Sequence, residues 1–245
     1  MRLQEETEYR PKPLVPIGGR PLLWHIMRIY THFGFREFIL CLGYRGDMIK
    51  EFFLNYEPLS SDFTVRLGLQ RSIYYDSQHE EQDCSITLSD TGLETMTGGR
   101  IKRVEKYVNS DTFMVTYGDG VADVDIKALL KFHHSHGRCA TLTAVHPTSR
   151  FGVLTIDDNG KVSSFSEKPI VDDWVSAGFF VFNRRIFDYL TDDDCFLEQE
   201  PLQRLAREGE LMAYRHEGFF FSVDTYRDYK QINDLWDKGQ TPWIR

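Results

Sequence analysis

Asp119, Asp224 and Lys12 are the residues whose setting could make them chemical. Asp119 lies in Tyr117-Gly118-Asp119-Gly120, directly after the apolar run Phe113 to Thr116. Ligands in open parallel sheets bind beyond the ends of such strands, and a carboxylate there suits Mg²⁺, a hard cation that takes oxygen ligands. The same tetrapeptide is also a favourable turn on composition alone. Asp224 follows Phe219-Phe220-Phe221 and precedes a helical pattern, so it reads either as a second oxygen ligand or as a helix cap or near-cap. Lys12 stands between Pro11 and Pro13, next to Arg10. The prolines restrict the backbone and would present the ammonium rigidly to an anion, unless it is simply a solvated lysine.

Other groupings are less pointed. Glu167-Lys168-Pro169 pairs a hydrogen-bond acceptor with a phosphate-seeking cation, but the tripeptide alone is weak. Thr97-Gly98-Gly99-Arg100 opens a helix, where free amides and absent side chains would admit an anion or a flat base, or where a plain capped start would serve equally. His133, His134 and His136 crowd the negative end of a helix, which suits them without any metal. Asp192, Asp193 and Asp194 read as a solvated turn. The four cysteines, Cys41, Cys84, Cys139 and Cys195, lack paired spacing and read as buried free thiols. No hydrolase triad or dinucleotide fingerprint is present.

The elements that must position these residues follow from apolar periodicity. Leu22, Leu23, Ile26, Met27, Tyr30 and Phe33 form a helical face that Pro21 opens and Gly34 closes. Phe38 to Leu42 is a buried strand, and Met48, Ile49, Phe52 and Phe53 line a helix within Arg45 to Asn55. Phe113 to Thr116 is a second buried strand, followed by a helix carrying Ile126, Leu129 and Leu130. This alternation predicts an α/β fold with a mostly parallel sheet and helices on both faces. An antiparallel hairpin is expected where Phe151–Ile156 and Val162–Phe165 flank Asp157-Asp158-Asn159-Gly160. Ala177–Phe182 is a further strand, the stretches Arg185–Leu190 and Glu198–Arg207 look helical, and Thr225–Asp237 is a last helix. Gln70–Cys84 reads as a long polar loop.

The chain has 245 residues, with 29 Lys plus Arg against 37 Asp plus Glu. A formal charge of −8 disfavours general affinity for nucleic acid or anionic membranes. Its apolar runs fall short of a membrane span, and the first residues lack a signal-peptide core, so a cytoplasmic protein is expected.

Together, these pieces resemble the sugar-1-phosphate nucleotidyltransferases over nearly the whole chain. The matching residues include Arg2-Leu3, Arg10–Pro13, Ile17–Gly19, Leu23–Met27, Met96–Arg100, Tyr117–Asp123, Arg150–Gly152, Glu167–Pro169, Gly178–Val181, Gln199–Pro201, Gly209–Ala213 and Asp224-Thr225. The resemblance is strongest to the branch that joins CTP and α-D-glucose 1-phosphate into CDP-glucose and pyrophosphate. It implies one Rossmann-like domain over 1–245, working as a homo-oligomer. It implies that Asp119 and Asp224 hold Mg²⁺, that Arg2 and Lys12 act at the reacting phosphates, and that Gly99 and Arg100 contact the nucleotide. Glu167 and Lys168 would address the sugar hydroxyls and sugar phosphate, with Ser176 at a position where the family has asparagine. The resemblance further implies an apolar strand and a glycine-rich loop before Arg2, so the natural sequence is expected to continue upstream of Met1. UTP or dTTP chemistry, another phosphate acceptor, or a non-catalytic nucleotide- or sugar-binding protein are the competing expectations.

Overall fold

The computed structural model describes residues 10–68, 72–76, 83–149 and 151–244. After a 3₁₀ turn at Lys12–Leu14, the main described elements are helix α1 (Leu22–His32), strand β1 (Glu37–Leu42), helix α2 (Gly46–Leu54) and a hairpin of β2 (Asp62–Arg66) and β3 (Ser72–Asp76). Next come β4 (Ser85–Asp90), α3 (Thr97–Arg103), β5 (Thr112–Thr116), β6 (Gly120–Ala122), α4 (Ile126–His136) and β7 (Ala140–Val145). The hairpin β8 (Val153–Ile156) and β9 (Val162–Ser166) precedes β10 (Val175–Asn183), and α5 (Glu200–Arg207), β11 (Leu211–Arg215), β12 (Phe220–Ser222) and α6 (Tyr226–Asp237) complete it.

The largest sheet has the order β11-β7-β10-β5. β11 and β7 are parallel, whereas β10 is antiparallel to both of its neighbours. Three strands therefore share a direction and β10 opposes them. Periodicity identifies a buried strand but not its direction; here the β8–β9 hairpin lies between β7 and β10, and β10 runs back beside β7. β1 and β4 form a separate parallel pair. Among the described residues, β5 pairs with β10 alone and β1 with β4 alone.

Period-two alternation along β10 divides the interior into two cores. Phe179 and Val181 face Ile26, Ile29 and Tyr30 of α1, Ile126 and Leu129 of α4, and Ile232 of α6. Phe180 and Phe182 face Ile101 of α3, Leu205 of α5, and Ile186 and Phe187 of a 3₁₀ turn. Helices thus cover both faces, and each fully buried phenylalanine contributes about 1.5–3 kcal/mol relative to exposure. The expected hairpin is present, its turn held by Asp157 Oδ1, which accepts the amides of Asn159 and Lys161. Of the Gln70–Cys84 segment, Ser72–Asp76 is strand rather than loop, because it pairs with Asp62–Arg66. Arg184–Asp188 is a 3₁₀ turn rather than a longer helix.

The polar tail after α6 hides a core residue. Trp243 is 2% exposed, and its indole Nε1–H donates to Nδ1 of the buried His25 at 3.2 Å. His25 Nε2 in turn lies 2.9 Å from the Ile17 carbonyl, so it carries the proton. The ring is neutral when folded, since burial pushes its pKa down to about 4. No described helix is long and apolar enough to cross a membrane.

Candidate active site

Lys12 occupies a 3₁₀ turn, Lys12–Leu14, entered from an extended Pro11 (φ −67, ψ 146) and closed by the Leu14 amide on the Pro11 carbonyl at 2.8 Å. The segment that follows is pinned to α6. The Gly18 amide donates to Asn233 Oδ1 at 3.1 Å, and Gly18 has φ +56 with the Trp236 ring lying where a Cβ would project. Only glycine tolerates that backbone and that approach. The prolines and this clamp together fix where the ammonium points.

It points at both aspartates. Lys12 Nζ donates to Asp119 Oδ2 at 2.9 Å and to Asp224 Oδ1 at 2.7 Å, partners that lie 107 and 212 residues along the chain. Strand pairing brings them together: β6 and β12 run antiparallel with Ser222 opposite Gly120, and the Val223 amide donates to the Asp119 carbonyl at 2.8 Å. Asp119 and Asp224 therefore flank one short ladder. The cap of α6 is Thr225, whose side chain forms a reciprocal box with Asp228. Asp224 immediately precedes the cap, and its amide donates to Asp228 Oδ2 at 3.1 Å, so it takes the near-cap place while its carboxylate is left for Lys12. Its second oxygen, Oδ2, accepts from Ser222 Oγ at 2.7 Å. Partial burial pulls the Lys12 pKa down, but hydrogen bonds and charge from Asp224 and Asp119 outweigh it, leaving the net shift upward.

Two carboxylates converging on one ammonium define a point built for positive charge. Among the described residues no three His, Cys, Asp or Glu side chains gather for a metal. The pair fits Mg²⁺ in the mode in which a cation takes one or two carboxylates and completes its shell with water and phosphate oxygens.

Two residues before Asp119, Tyr117 is tightly held. Its hydroxyl donates to Glu198, whose other oxygen accepts from Thr97 Oγ1 at 2.6 Å. Its amide donates to the Gly178 carbonyl at 3.1 Å, and its ring lies 2.4 Å from where a Gly178 Cβ would sit. Burial and the neighbouring Glu198 carboxylate keep the Tyr117 hydroxyl protonated well above its ordinary range. Ser176 is exposed, and its Oγ accepts from the Gly178 amide at 3.2 Å. Glu198 escaped sequence reasoning, having no motif of its own; only its place beside Gln199–Pro201 could have marked it.

The glycine turn takes an unexpected form. The amides of Gly98 and Gly99 donate to the Cys195 carbonyl at 2.9 and 3.1 Å. A Cβ on Gly99 would lie 2.6 Å from the Asp192 carbonyl oxygen. These glycines let the Asp192–Leu197 segment close over the start of α3, so the expectation of free amides there is corrected. The Arg100 guanidinium reaches the Leu42 carbonyl at 3.2 Å, Thr91 Oγ1 at 2.9 Å and the Leu93 carbonyl at 3.2 Å. It thereby braces the loops beyond β1 and β4. The Asp192–Asp194 turn, read as solvated, also holds α3: Asp193 is ion-paired with Arg103, and its carbonyl accepts the Met96 amide.

Glu167 and Lys168 form a neighbouring ion pair at 3.4 Å at the end of the exposed β8–β9 hairpin. Lys168 adopts a left-handed backbone, φ +48, uncommon for a side-chain-bearing residue. Among the described residues no hydrogen bond joins this pair to Lys12, Asp119 or Asp224. Arg2 lies outside the described residues. His133 Nδ1 and His136 Nε2 both meet Thr141 Oγ1, at 2.9 and 2.8 Å, and so serve the α4–β7 contact.

An α/β sheet that gathers a lysine and two aspartates beyond its strand ends suits an enzyme that handles phosphate. The chain matches the nucleotidyl transferase family over residues 1–240 and belongs to that family. It is 50% identical over 244 residues to a glucose-1-phosphate cytidylyltransferase of Salmonella typhi, spanning 99% of this chain and 94% of that protein. Over 243 residues it is 42% identical to a probable glucose-1-phosphate cytidylyltransferase of Bacillus subtilis (strain 168), with the same coverage. The fold resembles HddC from Yersinia pseudotuberculosis, with a TM-score of 0.65 and 22% identity over 92% of this chain and 90% of that one. It also resembles apo UDP-glucose pyrophosphorylase, with a TM-score of 0.67 and 14% identity over 98% and 94%. Those structural likenesses bear on the fold alone.

Proposed function

We propose that this chain transfers a cytidylyl group from CTP to α-D-glucose 1-phosphate, releasing pyrophosphate and forming CDP-glucose. The observation that carries the reading is the convergence of Lys12 on Asp119 and Asp224 in a chain half identical to a glucose-1-phosphate cytidylyltransferase. In the reaction a phosphate oxygen of the sugar phosphate forms a bond to the α-phosphorus of CTP as the bond to pyrophosphate breaks in line. The nucleophile is already ionised near neutral pH, so the protein's task is to gather and neutralise charge rather than to take a proton. Lys12 serves the reacting phosphates, as Arg2 does in this reading. Asp119 and Asp224 would hold Mg²⁺, which withdraws charge from phosphate oxygens when bound.

Gly99 and Arg100 belong to the nucleotide side, Arg100 by shaping the loops it braces. Glu167, Lys168 and Ser176 belong to the sugar-phosphate side. The reading carries a cytoplasmic location. It also carries a homo-oligomeric assembly, for which exposed Phe63, Tyr74 and Tyr75 of the β2–β3 hairpin supply apolar surface. The test is pyrophosphate release with CTP, UTP, dTTP and GTP, each offered glucose 1-phosphate and a second hexose 1-phosphate. Release with CTP and glucose 1-phosphate is expected to dominate. Preference for another pair, or nucleotide binding without release, would overturn the assignment.

A further inference from the structure

Glu198 joins turns that sequence keeps apart. One of its oxygens accepts from Tyr117, two residues before Asp119, and the other accepts from Thr97 Oγ1, at the first residue of the helix that carries Gly99 and Arg100. Thr97 Oγ1 itself accepts the Leu197 amide at 3.0 Å, and the neighbouring Cys195 carbonyl takes the Gly98 and Gly99 amides. On the far side, the Tyr117 amide holds Gly178, whose amide holds Ser176. A hydrogen-bonded chain thus runs from the start of α3 through one carboxylate to the turn of Asp119, and on to Ser176. Among the described residues Glu198 makes no hydrogen bond or ion pair to Lys12 or to the aspartates, and it is exposed. Two hydroxyl donors on two oxygens are what an acceptor-only carboxylate can satisfy, whereas an amide offers one acceptor and one donor.

We infer that Glu198 is a positioning residue that sets the turn bearing Asp119 against the turn bearing Gly99 and Arg100, and so couples the metal requirement to the nucleotide requirement. The inference rests on the proposed reaction and deepens it. Losing the Thr97 link should be felt at the nucleotide, losing the Tyr117 link at the cation, and losing Glu198 at both.

The test compares Glu198→Ala, Glu198→Gln, Thr97→Val and Tyr117→Phe with the parent, recording kcat, KM for CTP, the Mg²⁺ concentration for half-maximal rate, and Tm. Thr97→Val is expected to raise the CTP KM and Tyr117→Phe the Mg²⁺ requirement. Glu198→Ala should raise both by about tenfold, with Tyr117→Phe/Glu198→Ala no worse in its Mg²⁺ requirement than Glu198→Ala because the Tyr117 hydroxyl acts through that carboxylate. Glu198→Gln should recover part of one requirement. Changes in both requirements within about twofold in Glu198→Ala, or a lowered Tm with unchanged kinetics, would overturn the proposal. Hydrogen exchange on the same proteins separates this from failure of the reaction assignment. If the parent gives no pyrophosphate from CTP and glucose 1-phosphate, that assignment falls. Faster exchange in Glu198→Ala at both Gly98–Gly99 and Tyr117–Gly120 still upholds the coupling, and a change at only one segment or neither refutes it.

Discussion

Lys12 holds Asp119 and Asp224 with one ammonium, so each aspartate faces a cation whether or not metal is present. Asp119→Asn and Asp224→Asn keep the volume and one oxygen but lose a charged ligand. Each is expected to lower turnover at least 100-fold, which corresponds to about 2.7 kcal/mol of transition-state stabilisation. Far-UV circular dichroism should be unchanged, and turnover within threefold of the parent would refute the metal assignment. These three residues were legible because their local chemistry is unusual: a proline-flanked lysine, an aspartate between glycines after a buried strand, and an aspartate after three phenylalanines. Arg100 was legible as a residue but not as a brace. A guanidinium that grips main-chain carbonyls looks, in sequence, like one that waits for an anion. Glu198 was invisible, since its partners Tyr117 and Thr97 lie 81 and 101 residues away.

At the scale of elements, the helices declared themselves through apolar spacing, and α1 and α6 fall where it put them. The reversal of β10 did not, because alternation records which face is buried and is blind to direction. β10 also contains Gly178, in a left-handed conformation (φ +75) under the Tyr117 ring. Gly178→Ala must strain the backbone and push aside a ring that a carboxylate and a main-chain bond hold. Its expected cost is about 2 kcal/mol or more, a fall in Tm of roughly 4–8 °C for a chain of this size, with turnover reduced beyond the loss of folded protein. Thermal melting and steady-state rates on the same preparation check both halves. A Gly209→Ala change, at a positive-φ glycine with open space around its Cβ, supplies the backbone-only comparison.

Across the whole molecule, Trp243 and His25 tie the last described segment to the loop that follows Lys12. A polar, proline-bearing tail gave no sign of this, because one tryptophan shows no periodicity. The tie has a pH signature. Folded His25 has a pKa of about 4 against an ordinary 6.5, so between those values the unfolded chain binds a proton that the folded chain refuses. Stability therefore rises with pH across that window and is flat above it, and the His25 share falls by about 2 kcal/mol from pH 7.5 to pH 5. His133, pushed down to about 4 by burial and by His136 and His134, acts in the same direction. Urea titrations should show a shallower acid loss in His25→Gln, which can still donate to Ile17 and accept from Trp243. An unchanged slope would contradict the neutral-histidine tie. The pairing of β6 with β12 has a consequence in time as well as in space. Lys12, Asp119 and Asp224 come from the beginning, middle and end of the described chain, and no local segment contains two of them. Loops of that length close slowly relative to a helix or hairpin. A refolding chain can regain its helical signal early, yet turnover returns only when all three segments have met, so recovered activity counts fully assembled molecules.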